Sequence, residues 1–323
     1  MKMHVRIAFA LAAALLIAPH AFAQSYPTRP VRLVVPYAAG GGSDVAARLV
    51  AQKLSEQTGQ QVVVDNRPGA ASLVGTELAA RAAPDGYTLL LADVGFTINP
   101  IYYRKAQYDA MKDFDPIMVV CETPYVLVVP PNAPYSTSLK DFIAIVKSQP
   151  DKMSMGSAGS GSGSHFAGEL FKQRAGIKMI HVPYKSAAAS AIDVASGQIH
   201  AAMGTAPAAI GLYRAGKVKF LASAGNKRSS LLPDVPTFAE NGITGAAVTN
   251  WYSLVGPAGM PKQAVQRLVQ ETTRAVSAPD MRERMAAAAL EPAPNTPEQF
   301  KKLIAEELNR FRAVMKTAGI QPE

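Results

Sequence analysis

Among 323 residues the chain has one cysteine, one tryptophan and five histidines, and each scarcity closes off a chemistry. With Cys121 alone, no intrachain disulfide can form, and its place in the apolar run IMVVC marks a buried, inert thiol. Beyond the first 23 residues the histidines are His165, His181 and His200, on separate predicted elements and without H-E-x-x-H or another ligand spacing. Each reads as a structural histidine, and no metal site is expected. G-x-G-x-x-G and G-x-x-x-x-G-K-[ST] are both missing, which leaves nucleotide binding unsupported. G-x-S-x-G is missing too, and Ser164 and His165 are adjacent at a helix start, where side chains diverge by about 100° and cannot easily pair as nucleophile and base. No catalytic residue and no cofactor are therefore expected. No Lys/Arg run interleaved with aromatics occurs, so no nucleic-acid partner is expected either.

Long apolar runs are also scarce. The one marked run, residues 7–17, follows Lys2 and Arg6 and leads to Ala21-Phe22-Ala23, the small-x-small form that a signal peptidase cuts. It is well short of the roughly 20 residues of a bilayer span. We read a secretory signal peptide over 1–23 and a mature chain from Gln24. Losing Lys2 and Arg6 lowers the formal net charge from +9 to +7, a moderate basic excess that favours anionic partners.

What the chain has in quantity is glycine and serine in two places. VRLVVPYAAGGGSDVAARLV (31–50) and MSMGSAGSGSGSHFAGELFK (153–172) share one plan, an apolar strand entering a Gly/Ser loop that opens a helix. The unpaired N–H groups of each helix start would point at whatever sits above the strand end, an anion site in either case. In the first loop, three consecutive glycines let backbone approach a ligand, and Ser43 or Asp44 is the expected N-cap of a helix carrying Val45, Leu49, Val50 and Leu54. A plain glycine turn before a capped helix is the alternative there. For the second loop the alternative is a flexible linker, against which Phe166, Leu170 and Phe171 give the following helix a buried face.

The remaining pattern alternates strands and helices, which predicts βαβ units and mostly parallel sheet. Strands are expected at VRLVV, QVVVD, YTLLLA, YVLVVPP (125–131), KMSMGS, KMIHVPY, AAMG, KVKFLASAG and NWYSLVGP, with helices over 44–58, 73–81, 138–148, 165–174, 187–196, 261–276, 279–289 and 297–318. About 300 residues exceed one ordinary core, so two lobes are expected. One comprises 24–122 and 250–323 and the other 123–249, joined by crossings near 121–125 and 248–251. Ligands of open α/β sheets lie beyond the carboxyl ends of the strands, here in the cleft between lobes.

These residues carry a resemblance. The run from PTRPVRLVVPYAAGGGSDVAARLV to DGYTLLLA (27–92), then GSGSHFAGELFKQRAGIKMIHVPYKSAAASAIDVASGQIHAAMG, AGKVKFLASAGNKRSSLLPDVPTFAENGI and NWYSLVGPAGMPKQ, resemble in order the successive blocks of the Bug family, extracytoplasmic solute receptors of tripartite tricarboxylate transporters. The resemblance implies an α/β, two-lobed periplasmic binding protein of the Venus-flytrap type, monomeric. It would hold a small organic acid or amino acid by backbone N–H groups, hydroxyls and waters, and deliver it to membrane permease subunits. Carried over by position, the first-lobe contacts would be Tyr37, Ala39, Gly40, Gly41, Ser43 and Asp44, with Asp93, Gly95 and Thr97 in a second loop. Those of the other lobe would be Ser157, Gly161, Gly163, Ser164 and His165, with Tyr184, Lys185 and Thr205 at neighbouring strand ends.

Two positions depart from the family pattern. Ser186-Ala187 stands where a glycine is common, which narrows the pocket wall. Asp93 replaces a neutral small or amide residue, and reads first as a brace for the following turn, second as a ligand group suited to a cationic or hydrogen-bond-donating partner. A receptor that signals to a membrane kinase is the alternative within this architecture, and a periplasmic hydrolase using the Ser-rich loop the alternative from another class.

Overall fold

The apolar run VRLVV forms β1 (Val31–Val35), with Leu33, Val34 and Val35 fully buried, which requires cover on both faces. In the computed structural model, which describes residues 26–323, α1 (Gly42–Thr58) and α2 (Leu73–Ala80) supply crossovers that place β2 (Val62–Asn66) and β3 (Thr88–Ala92) parallel to β1 on either side. The signal peptide read over 1–23 and the start at Gln24 lie outside the described residues. A second set of parallel pairs joins β5 (Ser154–Ser157) to β6 (Ile180–Pro183) and to β7 (Ala201–Thr205).

Two long strands link the sets. β4 (Phe114–Val129) pairs over Phe114 to Pro124 with β9 (Thr249–Pro257), and over Tyr125 to Val129 with β7 and with β8 (Lys219–Ser223), always antiparallel. The strand order is β2-β1-β3-β9-β4-β7-β5-β6, with β8 and the short β10 (Glu291–Pro292) also on β4. Each lobe thus has a parallel interior and antiparallel strands at the seam. The segments read as crossings are not loops: Cys121 to Pro124 lies beside Tyr252 to Thr249 as paired strand. The sequence reading began β4 at 125 because the bulges between Pro116 and Met118 and between Val119 and Cys121 break simple alternation earlier in the strand.

The remaining helices are α3 (Gly95–Tyr102), α4 (Leu139–Ser148), α5 (Gly163–Ala175), α6 (Ala187–Ala195), α7 (Ala206–Arg214), α8 (Lys262–Ser277), α9 (Pro279–Ala287) and α10 (Pro297–Ala318). α8 and α9 return to pack on α1, while α10 touches α3, β4 and α5 and so lies against both lobes. Its start is fixed by a capping box between Thr296 and Gln299, and its stripe buries Phe300, Ile304, Phe311 and Met315. Phe311 meets Phe166 of α5 edge-on, with ring centroids 5.8 Å apart. Cys121 is fully buried among aliphatic side chains, and burial pushes its thiol pKa up, as an inert thiol requires. No helix among the described residues is long and apolar enough to cross a membrane.

Candidate functional site

Neither Ser43 nor Asp44 caps α1. The N-cap is Gly41, extended at φ −75°, ψ 170°, and among the described residues no side chain accepts from the Gly41, Gly42 or Ser43 N–H. Asp44 stands two residues inside the helix and turns back, its Oδ2 accepting the Gly40 N–H at 2.9 Å and Arg48 Nε at 2.9 Å, its Oδ1 accepting Asn66 Nδ2 at 3.0 Å. Burial alone would raise its pKa, but these donors outweigh it and the carboxyl titrates below its usual range. The carboxylate is directed away from the helix mouth, which is left buried and uncapped at Gly41, Gly42 and Ser43.

That mouth opens on a small cavity between the lobes. Three further helix starts border it: Ser162, Gly163 and Ser164 of α5, Ser186 and Ala187 of α6, and Thr205 of α7. At α5 and α6 the caps are internal, Ser162 accepting the His165 N–H at 3.2 Å and Ser186 the Ala189 N–H at 3.3 Å, whereas Thr205 gives α7 no side-chain cap. The rest of the wall is Tyr37, Asp93, Tyr125, Ala158 and Tyr252, so among the described residues no Lys, Arg or His lines the cavity. Attraction for an anion comes from helix starts, each worth about 0.3–1 kcal/mol at a surface and up to about 2 kcal/mol when partly buried.

The lobes meet around this space. Gly42 lies so close to the hydroxyls of Tyr252 and Thr205 that a Cβ would collide with both, and one on Gly163 would collide with the Tyr125 hydroxyl and Val94. A Cβ on Gly41 would only touch that of Ser186, at 3.5 Å. Polar bridges across the cleft run from Ala38 N–H to Lys185 O at 3.4 Å, from the Tyr252 hydroxyl to Thr205 Oγ1 at 3.3 Å and from the Tyr103 hydroxyl to Ser160 O at 2.6 Å.

Of the residues expected at the site, Tyr37, Gly41, Ser43, Asp93, Gly163, Ser164 and Thr205 line this cavity. Tyr184 and Lys185 line a neighbouring one that shares Tyr37 and Ala158 with it. Ala39 and Gly40 are exposed on the loop, and Asp44 is buried with its carboxylate turned from the cavity toward Gly40, Arg48 and Asn66. Gly95 donates its N–H to Asp93, and Thr97 is fully buried with its hydroxyl on Val94 O. Ser157, Gly161 and His165 brace the second loop from behind: Ser157 Oγ lies 2.7 Å from His181 Nε2, Gly161 N–H donates to His165 Nδ1 at 3.2 Å, and the His165 and His181 rings stack at 4.2 Å. Burial depresses the pKa values of His165 to about 3 and His181 to about 4, so both rings are neutral. Ser164 Oγ takes the Ala158 N–H at 2.8 Å and has no histidine partner.

Gly42, Tyr125, Ala158, Ser162 and Tyr252 are wall residues that the sequence does not mark as contacts, while Ser186 and Ala187 stand in the wall as expected from their departure from the family pattern. Ser162 was legible as the residue three before His165, the spacing of a serine cap. Tyr125 and Tyr252 read as core strand positions, and nothing local shows that their hydroxyls reach the cleft.

Asp93 is 93% buried. Its Oδ1 accepts the Gly95 N–H at 2.9 Å, the brace expected of it, and faces the Tyr37 hydroxyl at 3.5 Å, while Oδ2 has no hydrogen-bond partner among the described residues. Burial raises its pKa to about 7, against the smaller opposing effect of those hydrogen bonds.

Two α/β lobes closing on an uncapped helix start define a solute-binding receptor. The chain matches, over residues 46–320, the model of the tripartite tricarboxylate transporter family receptor, and it belongs to that family. It is similar to the periplasmic binding protein BugD, at 33% identity and a TM-score of 0.89 over 92% of this chain and 100% of that one. It is equally close to R. palustris Rpa4515 with adipate, at 34% identity and a TM-score of 0.89 over 92% and 100%. MatC from Rhodopseudomonas palustris with bound malate follows at 30% identity and a TM-score of 0.85 over 90% and 99%. The family and these neighbours are receptors, so the chain is a binding protein and not an enzyme.

Proposed function

We propose that this receptor captures a small organic carboxylate in the cavity between its lobes, one carboxylate group capping α1 at Gly42 and Ser43. The uncapped, buried start of α1 carries this reading, because a buried helix end needs an acceptor and no side chain supplies one. Adipate and malate in two close relatives support the same ligand class.

In this reading the lobes are 24–122 with 250–323, and 123–249, hinged where β4 and β9 run side by side, and the receptor acts as a monomer in the periplasm after export. Closure over the ligand excludes bulk water and is driven by the ligand's higher affinity for the closed form. The closed form then presents the ligand to membrane permease subunits. The site comprises the seven expected residues named above together with Gly42, Tyr125, Ser162 and Tyr252.

A thermal-shift screen of the protein, unfolded and refolded to strip carried-over ligand, against organic acids, amino acids and aromatic carboxylates tests this. A ligand at a hundred times Kd adds about 2.7 kcal/mol, a rise of several degrees. A selective rise for one carboxylate class is expected; a folded protein that no carboxylate stabilises would overturn the reading.

A further inference from the structure

Asp93 sits in a cavity otherwise arranged for negative charge. Four helix starts border the space, yet one wall presents a carboxyl group that is 93% buried, with Oδ1 held by Gly95 N–H and Oδ2 unpartnered among the described residues. No Lys, Arg or His shares the wall, so no protein cation is there to pair with it. Gly95 N–H and, at 3.5 Å, the Tyr37 hydroxyl both meet Oδ1, which leaves Oδ2 free for a cationic group of the ligand to pair with. Building on the carboxylate-receptor reading above, we propose that the ligand is a zwitterion, a carboxylate that also bears a protonated amine, whose anionic end caps α1 while its cationic end pairs with Asp93.

The titratable groups that sense Asp93 are Tyr37 beside it, Tyr252 on β9, Tyr125 on β4 and Tyr108 from the loop after α3. Burial raises all four, so they stay neutral between pH 6 and 8 and Asp93 is the one group in this set that titrates there. With its pKa at about 7, binding a cationic amine at pH 6 requires Asp93 to release its proton, and binding at pH 8 does not. Affinity for a zwitterion therefore rises with pH across that interval, by about tenfold. A protonated Asp93 donating to a second carboxylate of the ligand would give the opposite slope.

The test is calorimetric titration of the refolded protein with pairs that share a skeleton and differ by the amine: aspartate and succinate, glutamate and glutarate, phenylalanine and 3-phenylpropionate. In at least one pair the aminated member is expected to bind about 30-fold or more tightly than its partner at pH 8. Its affinity is expected to fall at pH 6, with a binding heat that depends on the buffer's protonation enthalpy. Asp93→Asn keeps the Oδ1 acceptor for Gly95 and is expected to fold and to lose that preference and that pH slope. A deaminated member that binds equally well or better, or a preference unchanged in Asp93→Asn, overturns the proposal and leaves the carboxylate receptor standing. Failure of every acid in all pairs to bind wild type, with no thermal shift from any carboxylate of the wider panel, overturns both.

Discussion

At Gly42 the absence of a side chain is the functional property. Its helical backbone could accept alanine, but the added Cβ would drive apart Tyr252 and Thr205, which bridge the lobes, and would stand over the α1 start. Gly42→Ala is expected to weaken ligand binding by at least about tenfold and to lower stability by about 1–3 kcal/mol, the usual range for overpacking. Gly41→Ala, whose Cβ would reach only ordinary contact with Ser186, is the control and is expected to keep its affinity within about threefold. Titration calorimetry and denaturant unfolding of both variants check this; equal loss in both would show that the close approach at Gly42 is not what matters. Asp93 and the paired histidines illustrate the other residue-scale lesson. The sequence shows their presence, but burial of Asp93 against tyrosines brings together segments far apart in the chain, and the stacking of His165 on His181 sets the start of α5 against β6, which no local pattern reveals.

Among elements, α10 does the most to tie the lobes together. Phe311 packs on Phe166 at the start of α5, so truncating it opens a void between the C-terminal helix and the helix whose N-terminus borders the ligand cavity. Phe311→Ala is expected to lose about 3–5 kcal/mol by urea unfolding, with a smaller effect on affinity. A loss under 1 kcal/mol would mean that α10 is not docked there. The elements legible in the sequence were those with a strong local pattern: β1 with its continuous apolar run, α10 with its stripe and capping residues, and both Gly/Ser helix starts. α3 escaped because Pro100 lies inside it, a residue that normally ends a helix. α7 escaped although Thr205 and Pro207 form a reasonable start signal, because AAMGT before it reads as a strand that simply stops. The first half of β4 was hidden by bulges, and with it the fact that the crossings are paired strands. Most of the cavity wall comes from starts of helices, of which the sequence locates those of α1, α5 and α6 to within two residues and misses that of α7; the tyrosine part depends on tertiary placement.

For the whole molecule, the parallel interior of each lobe aims its helix starts at one shared cleft, and the seam of β4 and β9 lets the lobes move without breaking either sheet. The single tryptophan, Trp251, lies in that seam opposite Glu122, so its fluorescence reports on the hinge directly. The central claim is that a carboxylate takes the place of the missing cap on α1. A crystal structure of the complex with whichever acid gives the largest thermal shift tests it most directly. The account requires a carboxylate oxygen within about 3 Å of the Gly42 or Ser43 backbone nitrogen, hydrogen-bond distance to the helix start. A carboxylate seated instead in the neighbouring cavity against Lys185, with the α1 start facing only water, would contradict it.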